Sequence, residues 1–473
     1  MRDFLFWLER RRWLWAALAL GAIVLLAPRP DGLSPEGQRV LGIAAAVAVL
    51  VVAEPVPLPA VALLIAVAQV VLGVADAAGV AATFMSDSVF FIMGSLMIGV
   101  AIVKQNLDKR IAYWLLRATG PSPARISTGL LVLSALLASV VGEHTVAAIL
   151  LPVAVTLIRL AREEADRELP TLGALLLLSV AFGCALAALG TPSGGARNAI
   201  MIDYWRRIYG IEVTYADWVV HAFPLLLLQI PVAAWILRRT FRPEVTDLQR
   251  TLVQLRRLVR QEGRWDVPDL LTVGLFALTL LAWITLSGTL GLGIIALAGA
   301  SLYLVIGLVR WEDYNVGVNW GVILLFASAI SLGVAMQRTG AAEWLGSALL
   351  RALPQAVLGW PAALLLAVAV TTILFTSVLS NGPAVAVLGP IFLNVASLSG
   401  VGVLAAGFAT AFASAFAFAT PTGTPATRIV YAAGQIRRAD FRRAGLRLSV
   451  ASLALLLLVA FTWWPLLGGE GAP

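Results

Sequence analysis

Two short polar runs interrupt long apolar stretches of this 473-residue chain: Gly142-Glu143-His144-Thr145 and Ser380-Asn381-Gly382-Pro383. Each stands near the middle of an apolar segment, 126–158 or 361–398, that is long enough to enter a bilayer and return. A second pair follows at Thr191-Pro192-Ser193-Gly194 and Thr420-Pro421-Thr422-Gly423, where proline removes a helix donor. Non-helical backbone at membrane depth persists only where protein or a polar cavity satisfies it. Hairpin tips and broken helices there present free amides, free carbonyls and half-helix ends. The N-terminal ends attract anions, and unwound carbonyls coordinate cations. One Thr-Pro kink is commonplace, but four breaks in two matched pairs point to a central site for an anion with a co-bound cation or proton.

Arg197 and Arg428 sharpen that inference, because each lies just after a Thr-Pro break in apolar or small-residue sequence. A charge at a helix centre costs roughly 2.5–3.5 kcal/mol, so it faces a partner or an aqueous path. A guanidinium offers two parallel donors to a carboxylate, sulfate or phosphate, and two of them suit a divalent anion. Pairing with Glu143 or Asp203, or snorkelling to an interface, is the alternative for either arginine. Glu143 and His144 have two readings as well. They titrate during a working cycle, or Glu143 pairs with Arg197 and leaves His144 a neutral hydrogen-bond donor. Enzyme chemistry has little to stand on. There is one other histidine, His221, which reads as interfacial, and one cysteine, Cys184, in an apolar run. No catalytic residue, disulfide framework or His/Cys metal centre follows, and no nucleic-acid signal is present.

The elements that must position these breaks are membrane helices. Apolar residues make up 60% of the chain, mean hydropathy is +0.91 and charged residues are 13%, about half the roughly 25% of soluble domains. That excludes a water-soluble fold. Arg10-Arg11-Arg12 precedes an apolar run to Ala27, and Pro28-Arg29-Pro30 follows where a signal peptide would carry a small-residue cleavage site. The run is therefore expected to be a first transmembrane helix. Further spans are expected at 38–53, 56–74, 85–103, 171–190, 217–237, 268–288, 292–309, 319–337, 402–419 and 446–467. With the N-terminus cytoplasmic, 26 of the 34 basic residues fall inside and 6 outside, while Arg197 and Arg428 belong to neither side. The positive-inside rule thus predicts N-terminus in and C-terminus out. The net charge of +8 is mostly membrane topology.

The halves repeat. Val89 to Ala118 lies on Ile323 to Ala352 without gaps; Ser139 stands four residues before Glu143 as Thr376 stands four before Ser380; the Thr-Pro breaks match last. Equivalent elements begin on opposite sides, so the expected fold is an all-α membrane protein of about eleven transmembrane helices plus two re-entrant hairpins in an inverted repeat.

On these residues the chain resembles the divalent anion/sodium symporter family, the INDY-like dicarboxylate, citrate and sulfate carriers. The resemblance runs over about 39–460. It takes in Pro55 to Gly73, Phe90 to Lys104 followed by Asp108-Lys109-Arg110-Ile111-Ala112, Leu324 to Leu345 and Gly434 to Leu446. The two hairpin signatures, normally Ser-Asn-Thr, and the two Thr-Pro breaks are its most specific parts. It implies a homodimeric elevator carrier in the cytoplasmic membrane. Scaffold would be 1–124 and 268–352, the transport domain 125–237 and 353–473, and the cytoplasmic linker 238–267. It also implies sodium coordination by the signature residues, which nominates Ser139, His144, Thr376, Asn381 and Thr420 as cation ligands. Substrate contacts would come from Glu143, His144, Thr145, Thr191, Pro192, Arg197, Ser380, Asn381, Gly382, Thr420, Pro421 and Arg428.

The chain departs from that pattern in three places. The first signature reads Glu143-His144-Thr145, which puts an imidazole, a poor ligand for hard sodium, where an asparagine oxygen is usual. The second ends in Gly382 and lacks a hydroxyl, and Pro-Asn is missing after both Thr-Pro pairs. One cation site is therefore expected to be lost or proton-linked. The expectation is a secondary active carrier of small di- or polyvalent anions, dicarboxylates first, coupled to Na+ or H+ and needing no cofactor. A sulfate or other oxyanion permease, or an exchanger without sodium, comes second; a channel or a membrane-embedded enzyme is a distant alternative.

Overall fold

Local capping chemistry starts the helices where the apolar stretches begin. In the computed structural model, which describes residues 11–105, 119–250, 253, 266–352, 354, 360–379 and 381–468, the hydroxyls of Ser34 and Ser86 accept from backbone N–H groups of the first helical turns that follow them. Proline takes an early helical position at Pro35, Pro123, Pro170 and Pro425, where its missing N–H would be unpaired anyway. The helices used below are α1 (Arg12–Leu26), α2 (Pro35–Ala53), α3 (Leu58–Val71), α4 (Ala77–Phe84), α5 (Asp87–Lys104), α6 (Pro123–Val141), α7 (Glu143–Ala165), α8 (Pro170–Ala187), α9 (Ala196–Tyr204) and α10 (Tyr215–Thr240). The second half adds α11 (Val267–Leu290), α12 (Leu292–Val305), α13 (Trp311–Gly317), α14 (Trp320–Arg338), α15 (Ala341–Ala352), α16 (Pro361–Leu379), α17 (Asn381–Ser399), α18 (Val403–Ala413), α19 (Pro425–Ala432) and α20 (Arg438–Thr462). No strand occurs among the described residues.

Among the described residues, ten helical segments are long and apolar enough to cross a membrane. Arms of both expected hairpins, α7, α16 and α17, are among them. The expected spans at 13–27, 56–74, 292–309 and 402–419 hold shorter helices, α1, α3, α12 and α18. For α18 the reason is its break, since the chain leaves helical geometry well before Thr420. Large apolar side chains stand exposed along α11 at Leu270, Leu278, Leu281 and Leu290, and on α16 at Leu374 and Val378. Such a surface belongs in hydrocarbon rather than water.

Small residues let the backbones approach. Gly94 of α5 lies so close to Ala296 of α12 that a Cβ there would sit 2.6 Å from its carbonyl carbon, and Gly21 of α1 meets Gly42 of α2. This is the packing that works where helices gain little from the hydrophobic effect. One arrangement occurs twice: α6 and α7 pack on the broken helix α8, and α16 and α17 pack on the broken helix α18. The repeated stretch Val89–Ala118 extends into 106–118, which lies outside the described residues, as does the basic linker at 251–252 and 254–265.

Candidate functional site

The first hairpin turns at Gly142, whose φ of +92° and ψ of 147° are open to glycine and strained for other residues. That turn makes Glu143 the first residue of α7 and buries it to 2% exposure. Across from it, α8 stops at Ala187 and helix resumes at Ala196. Thr191 holds the gap together: its hydroxyl accepts from Gly194 N at 3.1 Å and donates to the Ser139 carbonyl. Ser193 also reaches the Ser139 carbonyl, at 3.3 Å, and lies 3.1 Å from the Tyr215 hydroxyl. The buried amide of Asn198 donates to the carbonyls of Ala188 and Thr191 at 2.7 and 2.8 Å, and Trp218 donates to that of Leu189 at 2.8 Å. The carbonyls of Ala188, Leu189 and Thr191, freed by the break, are thus already engaged by protein donors. Asn198 and Trp218 were not singled out by the sequence; an amide seven residues past Thr191 was the available signal.

Arg197, in the first turn of α9, folds back across Gly195, where a Cβ would come within 3.1 Å of its Nη1. The same Nη1 donates to Glu143 Oε1 at 3.0 Å, and both side chains are nearly sealed from solvent, at 1% and 3% exposure. Of the open readings for Arg197, its position matches pairing with Glu143. Asn381, at the start of α17, donates through Nδ2 to the same Oε1 at 2.7 Å while its Oδ1 accepts from Gly382 N at 2.8 Å. Glu143 Oε1 therefore joins the tip of the first hairpin, the second hairpin and the first broken helix. Glu143 Oε2 and Arg197 Nε and Nη2 are buried without partners among the described residues.

The second break is less closed. Thr420 and Thr422 donate to the Ser377 carbonyl at 3.5 and 3.4 Å, a looser counterpart of Thr191 on Ser139. Thr376 is fully buried, and its hydroxyl has no partner among the described residues. Ser380 lies outside the described residues. Gly382 has a packing reason: a Cβ there would collide with the ring of Phe326 from α14. His144, Pro192 and Gly195 line a small cavity with Glu143, facing Phe91 and Ser95 of α5 and Phe326 of α14. Its volume of about 40 Å³ admits a few waters, at ~10–15 Å³ each, and no dicarboxylate. Thr145 is half-buried beside this tip and Pro421 half-buried in the other break.

Arg428 takes neither of the two ion pairs that stood as alternatives to substrate contact. It meets neither Glu143 nor Asp203; its Nη1 lies 3.4 Å from Glu54 Oε1, with the two side chains 39% and 48% exposed. Its helix α19 packs on α7 and α8 but points this side chain outward toward the end of α2. Asp203 is held instead by Arg207 at 2.8 Å and Arg206 at 3.5 Å. Glu54 was not legible as a partner, being 374 residues from Arg428. An exposed pair is worth about 0–1 kcal/mol, so Arg428→Gln should leave the melting temperature within a degree or two and anion uptake within a few-fold of the parent. A complete loss of uptake would return Arg428 to the substrate.

Residues 9–469 match the family model described as the sodium:sulfate symporter transmembrane region. A relative called a sodium-dependent dicarboxylate transporter, from Staphylococcus saprophyticus, is 24% identical over 467 residues, covering 93% of this chain and 89% of that one. An uncharacterized transporter of Haemophilus influenzae is also 24% identical, over 449 residues, with 91% and 92% covered. Among solved structures, the YdaH transporter of Alcanivorax borkumensis aligns over 83% of this chain and 89% of its own, at 16% identity and a TM-score of 0.55. That likeness is one of fold.

Proposed function

This chain belongs to the sodium:sulfate symporter family, and from that premise we propose that it is a secondary active carrier of small divalent anions, dicarboxylates foremost, driven by sodium, protons or both. The observation that carries this reading is the meeting at Glu143, where both hairpins and a broken helix converge beside a small cavity. The name of the staphylococcal relative favours a dicarboxylate. Thr145, Thr191, Ser380, Asn381 and Thr420 would contact substrate, and Thr376, Asn381 and Thr420 a coupling cation. The Thr376 hydroxyl, without a partner among the described residues, supports the cation role.

The first break reads differently. Arg197 there is a cation tethered by the chain, already paired with Glu143, and the carbonyls of Ala188, Leu189 and Thr191 are engaged. A solution cation has little left to bind. Coupling would then use one cation at the second break, with any proton carried at the Glu143–His144 tip. The carrier would work as a homodimer, with 125–237 and 353–473 moving as a transport domain against 1–124 and 268–352. The cavity supports that division, because α5 and α14 wall it on one side and the first hairpin tip and first break on the other. The N-terminus would face the cytoplasm.

Liposomes reconstituted with the protein test this directly. Saturable uptake of succinate is expected, accelerated by an inward sodium gradient with a Hill coefficient near one. Uptake of sulfate with no competition from dicarboxylates would favour the oxyanion reading instead. Cooperative dependence on two sodium ions would overturn the tethered-cation account of the first break.

A further inference from the structure

Away from the breaks, the C-terminus of α10 and the N-termini of α8 and α20 converge on the membrane face that carries residues 238–250 and 437–447. Between them lies a cleft of about 360 Å³ whose lining includes Arg239, Arg242, Arg437, Arg443, Thr171 and Asp440. Its acids are committed. Asp440 is bound by Arg437 through both carboxylate oxygens, at 3.2 and 3.3 Å. Nearby Glu244 accepts from Thr171 N and Leu172 N at 2.7 and 2.9 Å, capping α8. Burial opposes its ionisation, yet those backbone donors prevail and hold its carboxyl below the usual range. Arg239, Arg242 and Arg443 have no acidic partner among the described residues.

The placement of this charge is unusual. Arg239 sits at a helix C-terminus, where the macrodipole favours a cation. Arg437, Arg438, Arg442 and Arg443 instead crowd the N-terminus of α20, where the dipole favours an anion, and Asp440 is the acid of that first turn. Positive-inside topology accounts for basic residues on this face. It does not account for guanidinium groups gathered at a helix N-terminus around a cleft. One helical turn or two into the membrane, Trp235, Leu446 and Val450 are 56%, 53% and 68% exposed, with Arg239 over the Trp235 ring. The cleft therefore opens beside surface suited to acyl chains, which distinguishes a lipid from a free oxyanion.

We propose that this cleft is a binding site for the phosphodiester headgroup of an anionic phospholipid, held by Arg239, Arg242 and Arg443. Bound there, the lipid would tie together three helices and offset the charge that α20 carries at its N-terminus. Purified protein in phosphatidylcholine-containing micelles should gain several degrees of melting temperature when phosphatidylglycerol is added, and retain that lipid in native mass spectrometry. The Arg242→Gln/Arg443→Gln variant should melt normally without the lipid but need roughly thirtyfold more of it, from about 1 kcal/mol per basic residue. Arg242→Lys/Arg443→Lys should keep most of the response. Inorganic phosphate giving the same shift at equal concentration would overturn the lipid assignment. A phosphatidylglycerol response unchanged in the double Gln variant would overturn the site. Neither outcome bears on the anion carried at the breaks.

Discussion

Glu143→Gln is expected to lower the melting temperature by many degrees and to cut anion uptake by at least a hundredfold. The carboxylate is nearly sealed from solvent and receives both Arg197 and Asn381 on one oxygen. Removing one partner of a buried ion pair costs about 3–5 kcal/mol, because the other charge stays buried and uncompensated. Here the stranded group is the Arg197 guanidinium, which already has two nitrogens without partners among the described residues. Arg197→Gln strands Glu143 instead, with a different consequence: a free carboxylate is a hard oxygen ligand, and this variant should acquire sodium-dependent thermal stabilisation that the parent lacks at this break. The double variant Glu143→Gln/Arg197→Gln exchanges the ion pair for neutral amides and should regain most of the lost stability. If the double variant also transports at the parental rate, the pair is structural and plays no part in carrying the anion.

Gly382→Ala should cut uptake at least tenfold and destabilise the fold, since its Cβ would enter the Phe326 ring. Overpacking of this kind costs typically about 1–3 kcal/mol. The contact joins the start of α17 to α14 beside the cavity, and Phe326 is one of the cavity walls. Phe326→Leu removes the ring edge that collides, so Gly382→Ala/Phe326→Leu should recover both stability and uptake. Failure of that rescue, with Phe326→Leu alone near the parent, would mean that Gly382 serves its own backbone at the hairpin tip rather than the packing against α14. Uptake and melting curves for the four proteins form a double-mutant cycle that isolates the contact.

Composition alone made this a membrane protein, because no soluble core could absorb so apolar a chain. The breaks were equally legible. Gly142, the Thr-Pro pairs and short polar runs inside apolar sequence each alter the backbone locally, and a local cause can be read from neighbouring residues. Arg197 was visible as a charge that had to find company, and Glu143 was among the partners open to it. The pairing of distant groups was not legible. Asn381 reaches Glu143 across 238 positions, and Glu54 draws Arg428 outward from the end of α2. Gly382 reads in the sequence as a missing hydroxyl, whereas in the fold it makes room for Phe326. Asn198 looks like any helix-start asparagine until the carbonyls of Ala188 and Thr191 are brought to it. Spacing along a chain dictates which backbone groups lose their helical partners. Which side chains then answer them depends on how separate helices converge, and a few ångströms of approach between distant segments is a property of packing alone.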